Sequence, residues 1–514
     1  MSGKFYVTTP IYYVNAKPHI GHAYSTVLAD IMARFHRQLG DRTMFLTGTD
    51  EHGATVAKAA SEAGLSPEEH VDRMAPRFKE AWEFLNISYD DFIRTTEPRH
   101  ERAVQHIFEK LYRQGDIYRG EYEGWYCIYE ETFWRESQLV EGNCPECGRP
   151  VQRLKEESYF FRCSKFQEPL LRAILDGRLK IIPEVRRNEV IRFIEEGVED
   201  VSVSRTTFRW GIPVPFDPAH VVYVWFDALI NYVTGAGYLA DDEKFRTLWP
   251  ADVHVIGKDI LRFHAIIWPS MLMALGGEEL MPRRILTTGF WTLGGKKMSK
   301  SKGIVMDPIS LGREYGVDAL RYFLAREIPI GHDGEFSEEA LIRRINHDLS
   351  NDLGNLAHRI LPMLEKYCGG RIPHTEERGP IRGDQPEIIR EAVRRLEEFE
   401  FNVALARIWE GMLGVANRYV DSAAPWTLSK EGRRAELDMV MYKLADTLSI
   451  TAVLLYPFMP LTCEKIWAQL GIEESLSEQR IPEALEWGRL KPGSQVTRGE
   501  PLFPRIELLE EAEA

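Results

Sequence analysis

The sequence predicts an α/β protein: a doubly wound parallel sheet, split by an insertion and followed by an all-α helical bundle. Three observations carry this expectation. Short β-rich runs alternate with helical patterns before residue 114 and again after residue 220. The rhythm breaks over residues 115–219, where cysteines, turns and aromatic segments collect. Over residues 337–468 the apolar spacing is helical throughout, and heptad-like in 389–401 and 437–455.

The elements follow in order. Residues 5–9 read as a strand ending at Pro10, and the turn-forming segment 15–18 leads to a helix over 20–39 that stops at Gly40. A strand at 43–47 reaches Gly48; helices at 54–63 and 67–85, a strand at 91–94 and a helix at 98–114 come next. After the interruption, alternation resumes with a strand at 221–224, a helix, a strand at 253–256, a helix at 261–275 and a strand at 285–288. A Gly/Lys-rich loop spans 294–303. The expected domains are 1–114 (first half of a Rossmann-type sheet), 115–219 (an insertion with a cysteine knuckle), 220–336 (second half and lysine loop) and 337–514 (helical domain and C-terminal tail).

Composition narrows the class. The chain has 514 residues, 44% hydrophobic and 28% charged, which fits a multidomain globular protein and excludes disordered, collagenous and disulfide-scaffold classes. No apolar run approaches the ~20 residues needed to cross a bilayer; the longest, near 451–461, contains Pro457 and Pro460. The start, MSGKFYVTTP, lacks the apolar core of a signal peptide, so a cytoplasmic location is expected. The net charge of −14 argues against non-specific nucleic-acid binding, so any RNA contact must rest on local basic patches and base recognition. Of six cysteines, Cys127, Cys144 and Cys147 fall within 21 residues, which reads as a metal site before a disulfide.

Two motifs carry chemistry. Pro18-His19-Ile20-Gly21-His22 lies between the first strand and the first helix, and Lys296-Lys297-Met298-Ser299-Lys300-Ser301-Lys302 lies in the loop after a late strand. Ligands of doubly wound sheets bind beyond the carboxyl ends of the strands, where helix N-termini offer N–H groups and positive potential to phosphate. His19 and His22 add side-chain donors there, Gly21 permits close approach of a nucleotide, and lysines on a Gly-flanked loop neutralise a leaving pyrophosphate. Either motif alone is weak, since a lysine-rich loop is usually solvated surface. Both at strand ends, in this order and separated by an insertion, are a strong signal.

Together they resemble the HIGH and KMSKS signatures of class I aminoacyl-tRNA synthetases. Four further segments, FYVTTPIYYVN (5–15), FLTGTDEHG (45–53), YVWFDALINY (223–232) and IGKDILRFHAIIW (256–268), are similar to the methionyl-tRNA synthetase family. The resemblance spans nearly the whole chain. It implies methionine–tRNA ligase activity with Mg²⁺-ATP, L-methionine and tRNA(Met) as partners, and an anticodon-binding role for the helical domain. It implies a methionine pocket of Ile11, Tyr13, Asp50, Trp225, Ala228, Leu229, Tyr232, Ile260, His264 and Trp268, with Asp50 facing the ammonium group and Tyr13 and His264 beside the sulfur. It places Gly257 and Asp259 on the ATP ribose, His19, Gly21, His22 and Lys300 around the nucleotide, and His19, His22, Lys297 and Lys300 in catalysis. Asn355, Arg359 and Trp426 match anticodon-reading positions, although a Trp after Pro425 is, unaided, more simply a packing residue at a helix start.

The insertion departs from the family's pattern of two Cys-x-x-Cys pairs. Cys144-Pro145-Glu146-Cys147 is intact, but the first pair reads Cys127-Ile128-Tyr129-Glu130. Three outcomes are open: Glu130 completes a Zn²⁺ site, Cys163 does, or no metal binds. Rival functions are a cysteinyl-tRNA synthetase-like ligase, which an aromatic pocket suits less well, and a non-catalytic RNA-binding paralogue, which would be expected to lose one of the two motifs. The insertion of about 105 residues is too small for the editing domain of the Ile, Val and Leu enzymes. No segment after the bundle suggests a dimerising barrel, and a monomer is expected.

Overall fold

The structure is a computed structural model that describes residues 3–129, 132–134, 136–145, 147–293, 296–297 and 306–507. Its centre is a six-stranded, wholly parallel sheet built from β1 (Lys4–Tyr13), β2 (Arg42–Asp50), β3 (Asp91–Arg94), β4 (Lys180–Ile182), β5 (Val253–Gly257) and β6 (Arg284–Thr288), in the order β3-β2-β1-β5-β6-β4. The chain runs outward from β1 through β2 to β3, then returns to lay β5 on the other side of β1. The point where the order reverses lies between β1 and β5.

Alternation along the strands divides the core in two. Phe5 and Val7 of β1 and Phe45 of β2 face one side, with α1 (Ile20–Gln38) and the helical domain; Tyr6, Met44 and Leu46 face the other, with α2 (Pro98–Arg113) and much of the insertion. α1 is buried on all sides from Ala23 to Phe35, as a helix between sheet and bundle must be. No helix among the described residues is long and apolar enough to cross a membrane.

Three expectations change. β1 does not end at Pro10; it continues to Tyr13 with a register shift between Thr8 and Ile11, because a bulge absorbs the missing N–H of Pro10 and re-aims the strand. The run at 221–224 does not rejoin the parallel sheet. Its residues Val221 and Val222 end a strand, Asp217–Val222, that pairs antiparallel with Ser204–Arg205 and Pro213–Val214, a distinction that a short apolar run cannot encode. The interval 115–219 is not wholly inserted either, since β4 comes from within it and closes the sheet edge beside β6. The rest of that interval is led by a long ribbon of Ile117–Cys127 against Gln152–Phe161.

One charged cluster ties these layers together. Asp30 of α1, fully buried, accepts from Arg34 Nε (2.9 Å), from Arg321 Nη2 of the helix Val317–Arg326 (2.7 Å) and from the Ser88 N–H and hydroxyl. Arg321 also donates to the carbonyls of Leu85, Pro457 and Phe458, and Arg34 to that of Asn86. Burial alone would raise the Asp30 carboxyl, but Arg34, Arg321 and the Ser88 donors outweigh it and hold it well below the usual carboxylate range. Such a group stabilises above its unfolded pKa of about 3.9, and that stability is lost as pH falls below it. Arg321→Met, which leaves Asp30 with one cation, is expected to cost about 3–5 kcal/mol in urea unfolding at pH 7. Against the same variant, wild type should lose its advantage progressively below about pH 4; an advantage independent of pH would contradict the assignment.

Candidate active site

β1 delivers the chain to α1, whose N-cap is His19 in extended conformation. Its imidazole takes the place usually held by Ser or Asp: Nδ1 accepts from the Gly21 N–H (3.0 Å), while Nδ1 of His22 accepts from the His19 N–H (3.3 Å), a reciprocal capping box. A neutral ring that accepts at Nδ1 carries its proton at Nε2, so the cap makes each Nε2 a donor. The two rings stack with centroids 3.7 Å apart, and Tyr12 packs on His22 at 4.8 Å while its hydroxyl bonds Ser25 and Thr26. A Cβ on Gly21 would lie 2.9 Å from His19 Cε1, so glycine is what allows this ring position.

The first-turn N–H groups are not open to a ligand as the sequence suggested. Ile20 N–H donates to Met306 O (3.0 Å), Gly21 N–H to His19, and His22 N–H to His19 O (2.9 Å). The imidazole donors and the helix dipole remain as anion-attracting features. The Met306 contact brings α1 to the chain just after the second motif, since Met306 lies four residues beyond Lys302. Lys297 lies on a short strand, Lys296–Lys297, paired with Trp291–Leu293; Lys300 falls outside the described residues.

Across the switch point, β5 ends at Gly257, where a Cβ would sit 2.5 Å from Asp259 Oδ1; Asp259 itself is exposed at the mouth. Beside it the predicted pocket residues converge. Tyr13 and Asp50 are direct partners in the β1–β2 register, as are Ile11 and Gly48, and Asp50 is buried. Tyr13 meets Trp225 edge-on (6.3 Å), Trp225 meets His264 (6.5 Å), and Tyr232 meets both His264 (5.7 Å) and Trp268 (5.9 Å). Ala228 and Leu229 are buried on the short helix Val224–Leu229. Phe263, not singled out from the sequence, stacks on Trp225 at 3.9 Å. Ile260 lends its carbonyl to His264 Nδ1–H (3.0 Å), so His264 Nε2 accepts from the Tyr232 hydroxyl (2.7 Å). Burial pushes His264 down to about 4, and the ring is neutral at pH 7.

Behind the pocket lies a buried triad that the sequence reading passed over. Asp227, adjacent to Ala228, accepts from His52 Nδ1 (2.7 Å) and His100 Nε2 (2.6 Å). Burial works against the charged form of His52, but Asp227 more than compensates and raises its pKa. Both His52 and Asp227 stand inside segments quoted for other residues, and only their spatial pairing marks them.

The cysteine reading is corrected in one part. Cys127, Cys144 and Cys147 do meet, with sulfurs all within 4.8 Å and the Cys127–Cys147 pair 3.5 Å apart. Cys163 is not with them. Cys127 stands at the tip of the ribbon, whereas Cys163 follows Phe161, which pairs with Ile117 at the base, about 30 Å away at the rise of a β-strand. Cys163 packs fully buried near Ser270, its thiol pushed up to about 12 by burial. Glu130 lies outside the described residues.

In the helical domain, Asn355 is exposed at the start of the helix Asn355–Cys368, and Arg359, one turn on, pairs with Asp421 of the helix Gly414–Ala423. The backbone turns sharply at Ala424, in the left-handed region, and presents Trp426 46% exposed, so Trp426 is not the packing residue that its Pro425 neighbour suggests.

These features have close counterparts. The family model for class I tRNA synthetases (M) matches residues 5–154 and 149–361, and that for the anticodon-binding domain of tRNA ligases matches 386–501. A methionine–tRNA ligase of Caldanaerobacter subterraneus subsp. tengcongensis is 53% identical over 99% of this chain and 80% of its own length; one from Thermotoga maritima is 46% identical over 98% and 80%. Among solved structures, Mycobacterium tuberculosis methionyl-tRNA synthetase in complex with methionyl-adenylate superposes with a TM-score of 0.92 at 44% identity, covering 98% of this chain and 100% of that one. Its apo form gives 0.85 at 41% identity, covering 99% of each. With both family models matched, and near-full-length identity to several members, the chain belongs to the methionine–tRNA ligase family of class I tRNA synthetases.

Proposed function

We infer that the protein is an aminoacyl-tRNA ligase that activates L-methionine with ATP and charges tRNA(Met) for protein synthesis. One juxtaposition carries this reading: the imidazole-capped α1, the exit of the lysine loop and an aromatic, largely apolar pocket meet at a single switch point of the sheet. A methionine carboxylate oxygen attacks the α-phosphorus of Mg²⁺-ATP, the bond from that phosphorus to its bridging oxygen breaks, and pyrophosphate leaves. A ribose hydroxyl of the tRNA's terminal adenosine (2′ in class I enzymes) then attacks the methionyl carbonyl, and AMP leaves. No enzyme nucleophile is required, and the rate comes from charge stabilisation at the α-phosphate and pyrophosphate.

In this reading Asp50 takes the substrate ammonium group, and the rings from Tyr13 to Trp268 hold the thioether with Ile11, Ala228, Leu229 and Ile260. His19 and His22 donate from Nε2 to phosphate oxygens; Lys297 and Lys300 neutralise the leaving pyrophosphate; Gly257 and Asp259 hold the ribose. Asn355, Arg359 and Trp426 read the anticodon, with the exposed indole supplying a stacking face. The reading is completed by a monomer acting in the cytoplasm, where protein synthesis takes place.

The three clustered thiols suit Zn²⁺. Thiolates on a tetrahedral zinc at ~2.3 Å stand about 3.8 Å apart, close to the spacing seen, and Glu130 is the candidate for the fourth position. The metal would brace the ribbon tip and supply no chemistry.

ATP–pyrophosphate exchange across the twenty amino acids, without tRNA, should respond to methionine alone. A response to cysteine would reassign the pocket, and no response would favour an RNA-binding paralogue. Gly21→Ala, which displaces His19, and Lys300→Ala should each lower the exchange rate roughly 10²–10³-fold while moving the methionine constant little. Protein purified without chelator should carry near-stoichiometric zinc that Cys144→Ser abolishes; a fully folded, metal-free wild type would refute the metal assignment.

A further inference from the structure

His254 lies on β5, in register with Thr8 of β1, at the centre of the sheet and beneath the pocket. It is completely buried. Its hydrogen bonds leave no freedom of tautomer. An indole N–H can only donate, so the contact from Trp268 Nε1 (3.2 Å) makes His254 Nε2 the acceptor, and Nδ1–H must then donate to Thr8 Oγ1 (2.7 Å). The face of the same ring lies against Tyr232, centroids 4.2 Å apart and 31° from parallel. One imidazole therefore fixes two pocket walls, the indole by its edge and the phenol by its face. In the function proposed above, both walls belong to the pocket assigned to the methionine side chain.

We propose that His254 is a positioning residue for the amino-acid substrate, holding Trp268 and Tyr232 in the orientation that receives the methionine side chain through the Thr8–His254–Trp268 hydrogen-bond chain. The inference rests on the function given above and adds a residue that itself touches no substrate. Thr8 is part of the device, because its hydroxyl accepts the Nδ1 proton and keeps Nε2 available to the indole. A protonated ring would set a donor against the Trp268 donor; burial keeps the imidazole neutral by lowering its pKa well below the ordinary value.

The test is ATP–pyrophosphate exchange by the full chain, titrating methionine at saturating ATP and ATP at saturating methionine, with thermal unfolding run in parallel. His254→Leu leaves the indole N–H buried without an acceptor, and should raise the methionine KM on the order of tenfold with the ATP KM unmoved. His254→Gln, whose amide oxygen can accept from the indole, should recover most of that loss. Thr8→Val should give a smaller rise of the same kind. The proposal is overturned if His254→Leu leaves the methionine KM unchanged, if both KM values rise together, or if Gln is as damaging as Leu. Should His254→Leu fail to fold, Thr8→Val decides, and an unchanged methionine KM in it overturns the proposal. Absence of methionine-dependent exchange in wild type would instead fault the functional reading itself.

Discussion

The buried carboxylate of Asp30 is the constraint on which the arrangement of layers depends. Two guanidinium groups, those of Arg34 and Arg321, converge on it, and a second buried carboxylate, Asp318, lies within electrostatic range of both. Backbone carbonyls of Leu85, Asn86, Pro457 and Phe458, with the Tyr456 hydroxyl, accept further N–H groups of the two guanidiniums, which is what makes burying them tolerable. Those carbonyls come from the sheet-side layer and from the bundle, so satisfying the charges fixes α1, the helix Val317–Arg326 and the last bundle turn relative to one another. Asp318 reinforces the joint by accepting the Thr462 N–H, which caps the helix Pro460–Gln469 from outside. A hydrophobic contact of similar area would bind these elements without specifying their register.

α1 thus has two fixed ends. One is the capping box with its bond to Met306, the other the Asp30 cluster and the Gln38 amide on Val453 O. At 1.5 Å per residue its nineteen residues span about 28 Å. The pocket opposite follows a different logic. Its deeper polar groups, His254, His264, Tyr232 and Thr8, are neutral and bonded to one another, which removes unsatisfied donors and leaves a surface suited to a polarizable thioether. Charge is confined to buried Asp50, to the Asp227 triad behind the pocket and to the surroundings of α1.

Much of this was legible in the sequence, and the rest was hidden for definable reasons. Period and punctuation marked α1, β2 and β5, because long amphipathic or strongly apolar segments announce themselves. β4 was missed because three residues carry no periodicity. The strand at 217–222 was seen in part but placed in the wrong sheet, since pairing partners are a tertiary fact. The pocket residues came from resemblance; pattern alone would have sent their aromatic rings to the core, and the structure puts Trp268 and Tyr232 there as well as in the pocket. Cys163 looked equivalent to its neighbours because spacing along a chain says nothing about opposite ends of a hairpin. The Met306 carbonyl had no signal at all, because a backbone acceptor belongs to every residue type.

The position of β1 has a consequence for how the chain is made. β1 is flanked by β2 and β5, and its bonds to Asp252 and His254 join residues 246 positions apart. On a ribosome adding about 5–20 residues per second, roughly 12–50 s separate the emergence of the two strands. During that interval β1 is the edge of a nascent three-stranded sheet, long and apolar, with unpaired N–H and C=O groups along one side. Vectorial synthesis therefore leaves the future floor of the crevice with one edge unpaired until β5 emerges, and an unpaired strand edge is a template on which another chain can add.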